Sequence, residues 1–311
     1  SAPGGGRDLK KGSKVLCSAP RVRYAWIHEH RNIFRIRSMC RALGVCFQGY
    51  YTWRDNEDFD ESDIVLVAEI KDVMKDSRHT YGILRVTDEL RRRGFHVNHK
   101  RVERLMREHD IRCKKVKKVK KFKKTTNSRH RYPASDDILK RRFNVSKPDK
   151  AWVSDITYLR TGSGWLYLCV WIDLFSRNVV GWSVSSSLAS KLVCDALQSA
   201  LDRRPGARPI VHSDRGIQYA SFEFRRMLWR NKLIQSMGKK GDCFDNAVAE
   251  SFFGILKTET DNTRKLSASE VRLTIFDYIE VFYNRKRLHS KLGYKTPEEV
   301  EKEYWSPPEA S

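Results

Sequence analysis

The sequence of 311 residues has no apolar stretch approaching the roughly 18 residues of a membrane-spanning helix, and no signal or lipidation motif, which argues against a membrane protein. No CxxC pair occurs among its seven cysteines (17, 40, 46, 113, 169, 194 and 243). An odd number spread over a long chain argues against a disulfide framework and for a reducing cytosol. Acidic residues are scarce in the first half. Residues 1–150 hold 19 Asp and Glu against 38 Lys and Arg, a net +19, while the rest holds 19 against 23, a net +4, for +23 overall. So uneven an excess calls for a polyanion, and nucleic acid is the expected partner, because each cation that neutralises a phosphate releases counterions. Residues 1–20 are Gly- and Lys-rich, without an initiator methionine or heptad period, and read as a leader or junction outside the fold.

What is present begins with helical patterns. Residues 21–54 read as a short helix, a Gly44-Val45 turn and a second helix, the outline of a helix-turn-helix or of any small helical hairpin. His28, His30, Cys40 and Cys46 invite a zinc reading, but two histidines two apart on a helix point to different faces and the spacing matches no zinc pattern. An acid-rich linker, Asp55 to Asp63, opens a helical body over residues 63–113, with helices expected at Ile64–Met74, Tyr81–Arg93 and Val97–His109. Asn98 suits a cap, and Val102, Leu105 and Met106 gather on one side of the last helix. Asn98, Lys100, Arg101 and Arg104 are therefore candidate DNA contacts. Residues 114–147 form a basic linker: between 112 and 131 there are eleven basic residues and no acid. Lys114, Lys115, Lys117, Lys118, Lys120 and Lys121 read as a strap that orders on a phosphate backbone, though such a run is also what a solvated segment looks like.

The pattern changes over residues 148–262. "KAWVSDITYLRT" alternates, "GWLYLCVWIDLFS" is almost continuously apolar, and "RNVVGWSVS" is strand-like again, so three antiparallel strands are expected, the middle one buried on both faces. A helix, Leu188 to Leu201, then crosses over to a short strand, Pro209 to His212. Asp155 lies mid-strand, opposite in facing to Trp152 and Ser154, and a carboxylate there is unfavourable unless paired or holding a cation. Asp214, at the tip of the next strand, sits where active groups of open α/β sheets gather, and Gly216 lets the chain leave without crowding it. Glu250 would be the third acid. Its helix, capped by Asp245, turns Val248, Phe252 and Ile255 toward a core and Asn246, Glu250 and Lys257 toward another face. His212 and Asn246 are placed behind the acids, with a satisfied core histidine as the other reading of His212.

Asp155 in W-x-x-D-I-T, Asp214 in H-S-D-R-G-x-Q-Y and Glu250 in D-N-A-x-A-E-S-F-F, with 35 residues between the last two, resemble the DDE triad of transposases and retroviral integrases. The wording more closely resembles the second-frame (OrfB) product of bacterial insertion sequence three family transposases, including the basic Lys257 seven positions after the glutamate and the ending "YNRKRLHSKLGYKTPEE". The resemblance runs from about Arg21 to Tyr304. It implies an α/β fold: a ribonuclease-H-like core with a mixed five-stranded sheet and flanking helices, preceded by small helix-turn-helix segments and followed by a helical extension over residues 263–311. It further implies Mg²⁺, two ions with Mn²⁺ as a substitute, held by Asp155, Asp214 and Glu250, and a homo-oligomer on double-stranded DNA. A first-frame (OrfA) protein or fused segment and a cytoplasmic, nucleoid-associated location belong to the same expectation. Lys257 would hold a terminal phosphate or base, and Arg285, Arg287 and His289, at the end of a long helix from Ser267, would touch DNA or a neighbouring subunit. Cys46-Phe47-Gln48 departs from the small polar or basic residues that relatives tend to carry there, which weakens base reading by that helix. The rival from another class is a non-catalytic DNA-binding regulator of the same element.

Overall fold

The computed structural model describes residues 20–54, 59–114, 135–238, 246–260 and 263–306. Contacts divide the chain into two compact units, residues 1–72 and 73–311.

In the first unit, α1 (Pro20–Glu29), α2 (Ile36–Ala42) and α3 (Phe47–Arg54) close around Ile27, Met39, Cys40, Leu43 and Tyr50. The turn between α2 and α3 needs a left-handed residue, and Gly44 supplies it at φ 61°. Of the residues weighed for zinc, His28 Nδ1 bonds the Tyr50 hydroxyl at 3.2 Å, His30 stacks on Trp26 with centroids 4.0 Å apart, Cys40 is buried in this core and Cys46 is exposed. The helix α4 (Phe59–Asp76) contains the boundary between the units.

In the second unit, α5 (Ile83–Arg92) and α6 (His99–Glu108) bury Val86, Leu90, Val102, Leu105 and Met106. Asn98 caps α6, its side chain accepting from Arg101 N at 3.0 Å. Residues 73–113, read from sequence as part of a separate body, are grouped by their contacts with the sheet that follows. The Tyr81 hydroxyl donates to Lys286 O at 2.9 Å and accepts from Leu288 N at 2.8 Å. Arg92 reaches Glu299 at 2.9 Å and the Tyr294 carbonyl at 2.6 Å, and Arg78 pairs with Asp277 at 2.8 Å.

The sheet runs β1 (Ala151–Thr161), β2 (Gly164–Asp173), β3 (Val179–Ser185), β4 (Ile210–Ser213) and β5 (Ile234–Met237), in the spatial order β3-β2-β1-β4-β5. The first three strands are antiparallel, while β4 lies parallel to both β1 and β5, so the sheet is mixed. The switch to parallel pairing requires a crossover, and α7 (Ser190–Arg203) makes it. A continuous core of Trp152, Trp171, Val193, Leu197, Phe224 and Leu228 joins the sheet to α7 and α9 (Phe222–Arg230), with α8 (Ile217–Ala220) leading into α9. α7 approaches β3 so closely that a Cβ on Gly181 would lie 2.5 Å from the Ala196 carbonyl oxygen.

The helix α10 (Ala247–Glu259) buries Ala249, Phe252, Phe253 and Leu256. Its apolar face is therefore rotated from the Val248, Phe252, Ile255 stripe read from sequence, because two adjacent phenylalanines widen the buried arc. α11 (Ala268–Phe276) starts in a capping box between Ser267 and Glu270 and continues as a π-helix to Tyr283, and α12 (Pro297–Trp305) follows.

Candidate active site

Strand pairing brings the first two acids together. β1 and β4 are parallel, with Val153 beside His212, so Asp155 and Asp214 both lie two residues further toward the same end of the sheet. They line one small cleft of about 20 Å³, together with Tyr158, Leu188, Gln218 and Tyr219. Asp155 accepts from Ile156 N at 2.7 Å and Asp214 from Gly216 N at 2.9 Å, each through one carboxylate oxygen. Gly216 matters for space and not for dihedral freedom: its φ is an ordinary −65°, but an added Cβ would lie 3.0 Å from Asp214 Oδ1.

Glu250 comes from α10. Asn246, at the start of that helix, is buried and donates to the Ser154 carbonyl at 3.0 Å, pinning α10 to β1 one residue before Asp155. Glu250 is exposed and does not line the cleft, yet its charge reaches Asp155. Burial lifts the Asp155 carboxyl well above the usual carboxylate range, and repulsion from Asp214 and then Glu250 adds to that, against the Ile156 N–H and Lys257. Burial also raises Glu250, and it lowers Lys257, whose ammonium is drawn back up by Asp155. Among the described residues no three His, Cys, Asp or Glu side chains are already gathered as a metal cage. The donor set still suits a hard divalent cation. Three carboxylates whose charges oppose one another are stabilised by a positive ion, and oxygen ligands select Mg²⁺ or Mn²⁺ over softer metals.

The sequence matches the Integrase core domain over residues 145–243 and again over 231–297, and an HTH-like domain over 61–119. It is 42% identical over 291 residues to the Escherichia coli transposase InsF for insertion sequence IS3A, covering 90% of this chain and 98% of that one. This chain belongs to the IS3 family of insertion-sequence transposases. Another relative is the uncharacterized 31 kDa protein of insertion element IS600 from Shigella sonnei, 39% identical over 270 residues, with 86% of this chain and 98% of that one covered. Among solved structures, the chain is similar to one in a simian T-cell lymphotropic virus intasome in complex with a PP2A regulatory subunit (18% identity, TM-score 0.44, 74% and 73% covered). It is also similar to the HTLV-2 integrase catalytic core in complex with magnesium (19% identity, TM-score 0.39, 50% and 97% covered).

The remaining expected site residues of this IS3-family chain fall into three groups. Lys100 and Lys114 are exposed, whereas Arg101 and Arg104 are half-buried, with Arg104 bonded to Glu108 at 3.0 Å. Lys115, Lys117, Lys118, Lys120, Lys121 and the proposed cap Asp245 lie outside the described residues. Toward the C-terminus two of the three expected DNA contacts are buried. Arg285 is exposed, but Arg287 is 2% exposed and grips Glu259 through bonds of 2.8 and 2.9 Å. Burial opposes the Arg287 charge, but Glu259 outweighs it and holds the guanidinium protonated. His289 is buried too, and burial, with Arg287, Arg85 and Arg177 nearby, pushes its pKa down to about 3. Neither side chain is free to meet DNA. His212 bonds Ser236 on β5 at 2.9 Å, as a buried histidine should.

Sequence reading missed the floor of the cleft. The Tyr219 hydroxyl lies 2.7 Å from the Ser154 hydroxyl, and Gln218 donates to the Leu188 carbonyl at 3.1 Å. Both follow Asp214 in the same short motif, so the signal was present and only its role was unread.

Proposed function

We propose that the chain binds the terminal inverted repeats of its own insertion sequence, nicks the DNA there and joins the freed end to a second site by phosphoryl transfer. The observation that carries this reading is the meeting of Asp155 and Asp214 in one cleft, with Glu250 close enough to raise the Asp155 carboxyl. Two Mg²⁺ ions, or Mn²⁺, held by Asp155, Asp214 and Glu250 would neutralise the transferring phosphate and activate the attacking oxygen. The chain's own residues do the positioning. Asn246 fixes the Glu250 helix to β1, and the Gly216 amide orients the Asp214 carboxylate. Lys257, two turns after Glu250 on α10, would hold a phosphate or base beside the acids. Asn98, Lys100, Arg101 and Arg104 on and before α6, the basic strap from Lys114, and Arg285 would contact the duplex backbone, in a homo-oligomer assembled on DNA. A first-frame protein or segment would complete that assembly.

The test uses labelled DNA carrying the element's terminal repeats with Mg²⁺, comparing the chain with Asp214→Asn. We expect nicked and joined products from the former only, with equal binding by both. Equal binding with no product from either would leave a DNA-binding regulator instead.

A further inference from the structure

Away from the acids, an open cleft of about 360 Å³ lies between the β2–β3 turn and the loop after the π-helix. Leu174, Phe175 and Leu292 form apolar walls, and Arg177, Lys291 and Lys295 bring positive charge to it. Arg177 occupies the hairpin turn in a left-handed conformation, φ 63°, which costs an arginine more than a glycine. Its Nη2 donates to the Phe143 carbonyl at 3.4 Å, while the buried Nη1 has no acceptor among the described residues. The one acid in the same turn, Asp173, is already engaged by the backbone amides of Asp149, Phe175 and Ser176. Burial opposes the Arg177 charge, Asp173 offsets part of that cost, and low-dielectric walls concentrate the field that remains.

The two lysines are placed by a tight turn. His289 N donates to Lys295 O at 3.0 Å, Tyr294 N to His289 O at 2.9 Å, and Gly293 at φ 62° allows the reversal. The carboxylate on this rim, Glu303, pairs with Lys295 at 2.6 Å, which leaves Arg177 and Lys291 in excess. Arg287 and Arg85, which do not line the cleft, have Glu259 as their shared counter-charge. A planar fork beside a flexible ammonium is the pairing that grips phosphate oxygens.

We propose that this cleft binds a phosphodiester of duplex DNA at a position separate from the cutting site, an inference that rests on the transposase reading above. Leu174 N bonds Ala151 O at the start of β1, and Asp155 lies four residues further along that strand. At about 3.3 Å per residue these two positions on β1 are about 13 Å apart, so the phosphate held here is not the one attacked. The cleft would thereby fix the direction in which the duplex leaves the site.

The experiment measures affinity of the full chain for a short duplex across a series of salt concentrations, for wild type, Lys291→Gln, Arg177→Gln and the double variant. Each lost phosphate contact should reduce the slope of log K against log salt by about 0.9. In parallel, inorganic phosphate should raise the melting temperature of wild type above that in chloride of equal ionic strength, and should not do so for the double variant. Lys291 is exposed, so its variant reads binding without disturbing the core. An unchanged slope for Lys291→Gln and the double variant overturns the proposal. Protection by phosphate with no change of slope assigns a free small phosphate and also overturns it, as does protection by polyglutamate but not phosphate. Strand cutting is not read, so a chain that binds DNA without cutting it would sink the transposase reaction while leaving the cleft testable.

Discussion

Asp155 sets stability against the proposed chemistry in a single side chain. Its carboxyl is raised by burial, by Asp214 and by Glu250, so the folded chain without a cation is strained by the charge it holds there. Replacing it with asparagine removes that charge at nearly constant volume. We expect Asp155→Asn to melt higher, by a gain of about 1 kcal/mol, and to lose strand cutting altogether. Calorimetry without metal, beside the cleavage assay, checks both halves. Gly216 gives a second residue-scale test. A Cβ placed 3.0 Å from Asp214 Oδ1 must push the carboxylate aside, so Gly216→Ala should slow cutting by about tenfold or more while leaving the melting temperature within a few degrees. The two aspartates were readable in advance because an acid inside a strand, and another at a strand tip, contradict what those positions ask for. Arg287 and His289 were misread for the converse reason. A cation near the chain's end looks exposed by type, and nothing in its neighbourhood reveals Glu259, which lies 28 residues earlier.

Among the elements, helix ends were legible where a cap marks them. Asn98 begins α6 and Ser267 begins α11 as their side-chain chemistry suggests, and the crossover through α7 follows from having to return to a parallel strand. The buried face of α10 was less legible, since phenylalanines at 252 and 253 support two rotations equally well. Tertiary contact chooses between them: Asn246 ties the helix to Ser154, and at its other end Glu259 meets Arg287 and the Tyr278 hydroxyl, the latter at 2.8 Å. That second anchor is a buried ion pair, with side chains 3% and 7% exposed. Removing one partner leaves Arg287 uncompensated beside Arg85. Glu259→Gln should cost about 3 to 5 kcal/mol in urea unfolding, and adding Arg287→Met should restore part of the loss. The cleft around Arg177 was not legible at all, because its lining is drawn from segments more than a hundred residues apart.

For the whole molecule, acidity and modularity both follow from burial. His289 has a folded pKa of about 3 against an ordinary 6.5, because burial and neighbouring arginines exclude its charged form. Below about 6.5 the unfolded chain takes up a proton that the folded chain refuses, until about 3. This contribution to stability is therefore complete above about 6.5 and falls on acidification by up to about 1.4 kcal/mol per pH unit. Urea unfolding of His289→Asn at a series of pH values should show a flatter decline across that window. Modularity is limited by the contact at Tyr81. One hydroxyl bridges the Lys286 carbonyl and the Leu288 amide, while Arg92 holds Glu299 and the Tyr294 carbonyl. A chimera that grafts the stretch from residue 81 through α6 of another mobile element onto this chain would lose those partners unless it also imported the loop between residues 286 and 299. The two stretches, some two hundred positions apart, have to be inherited as one cassette.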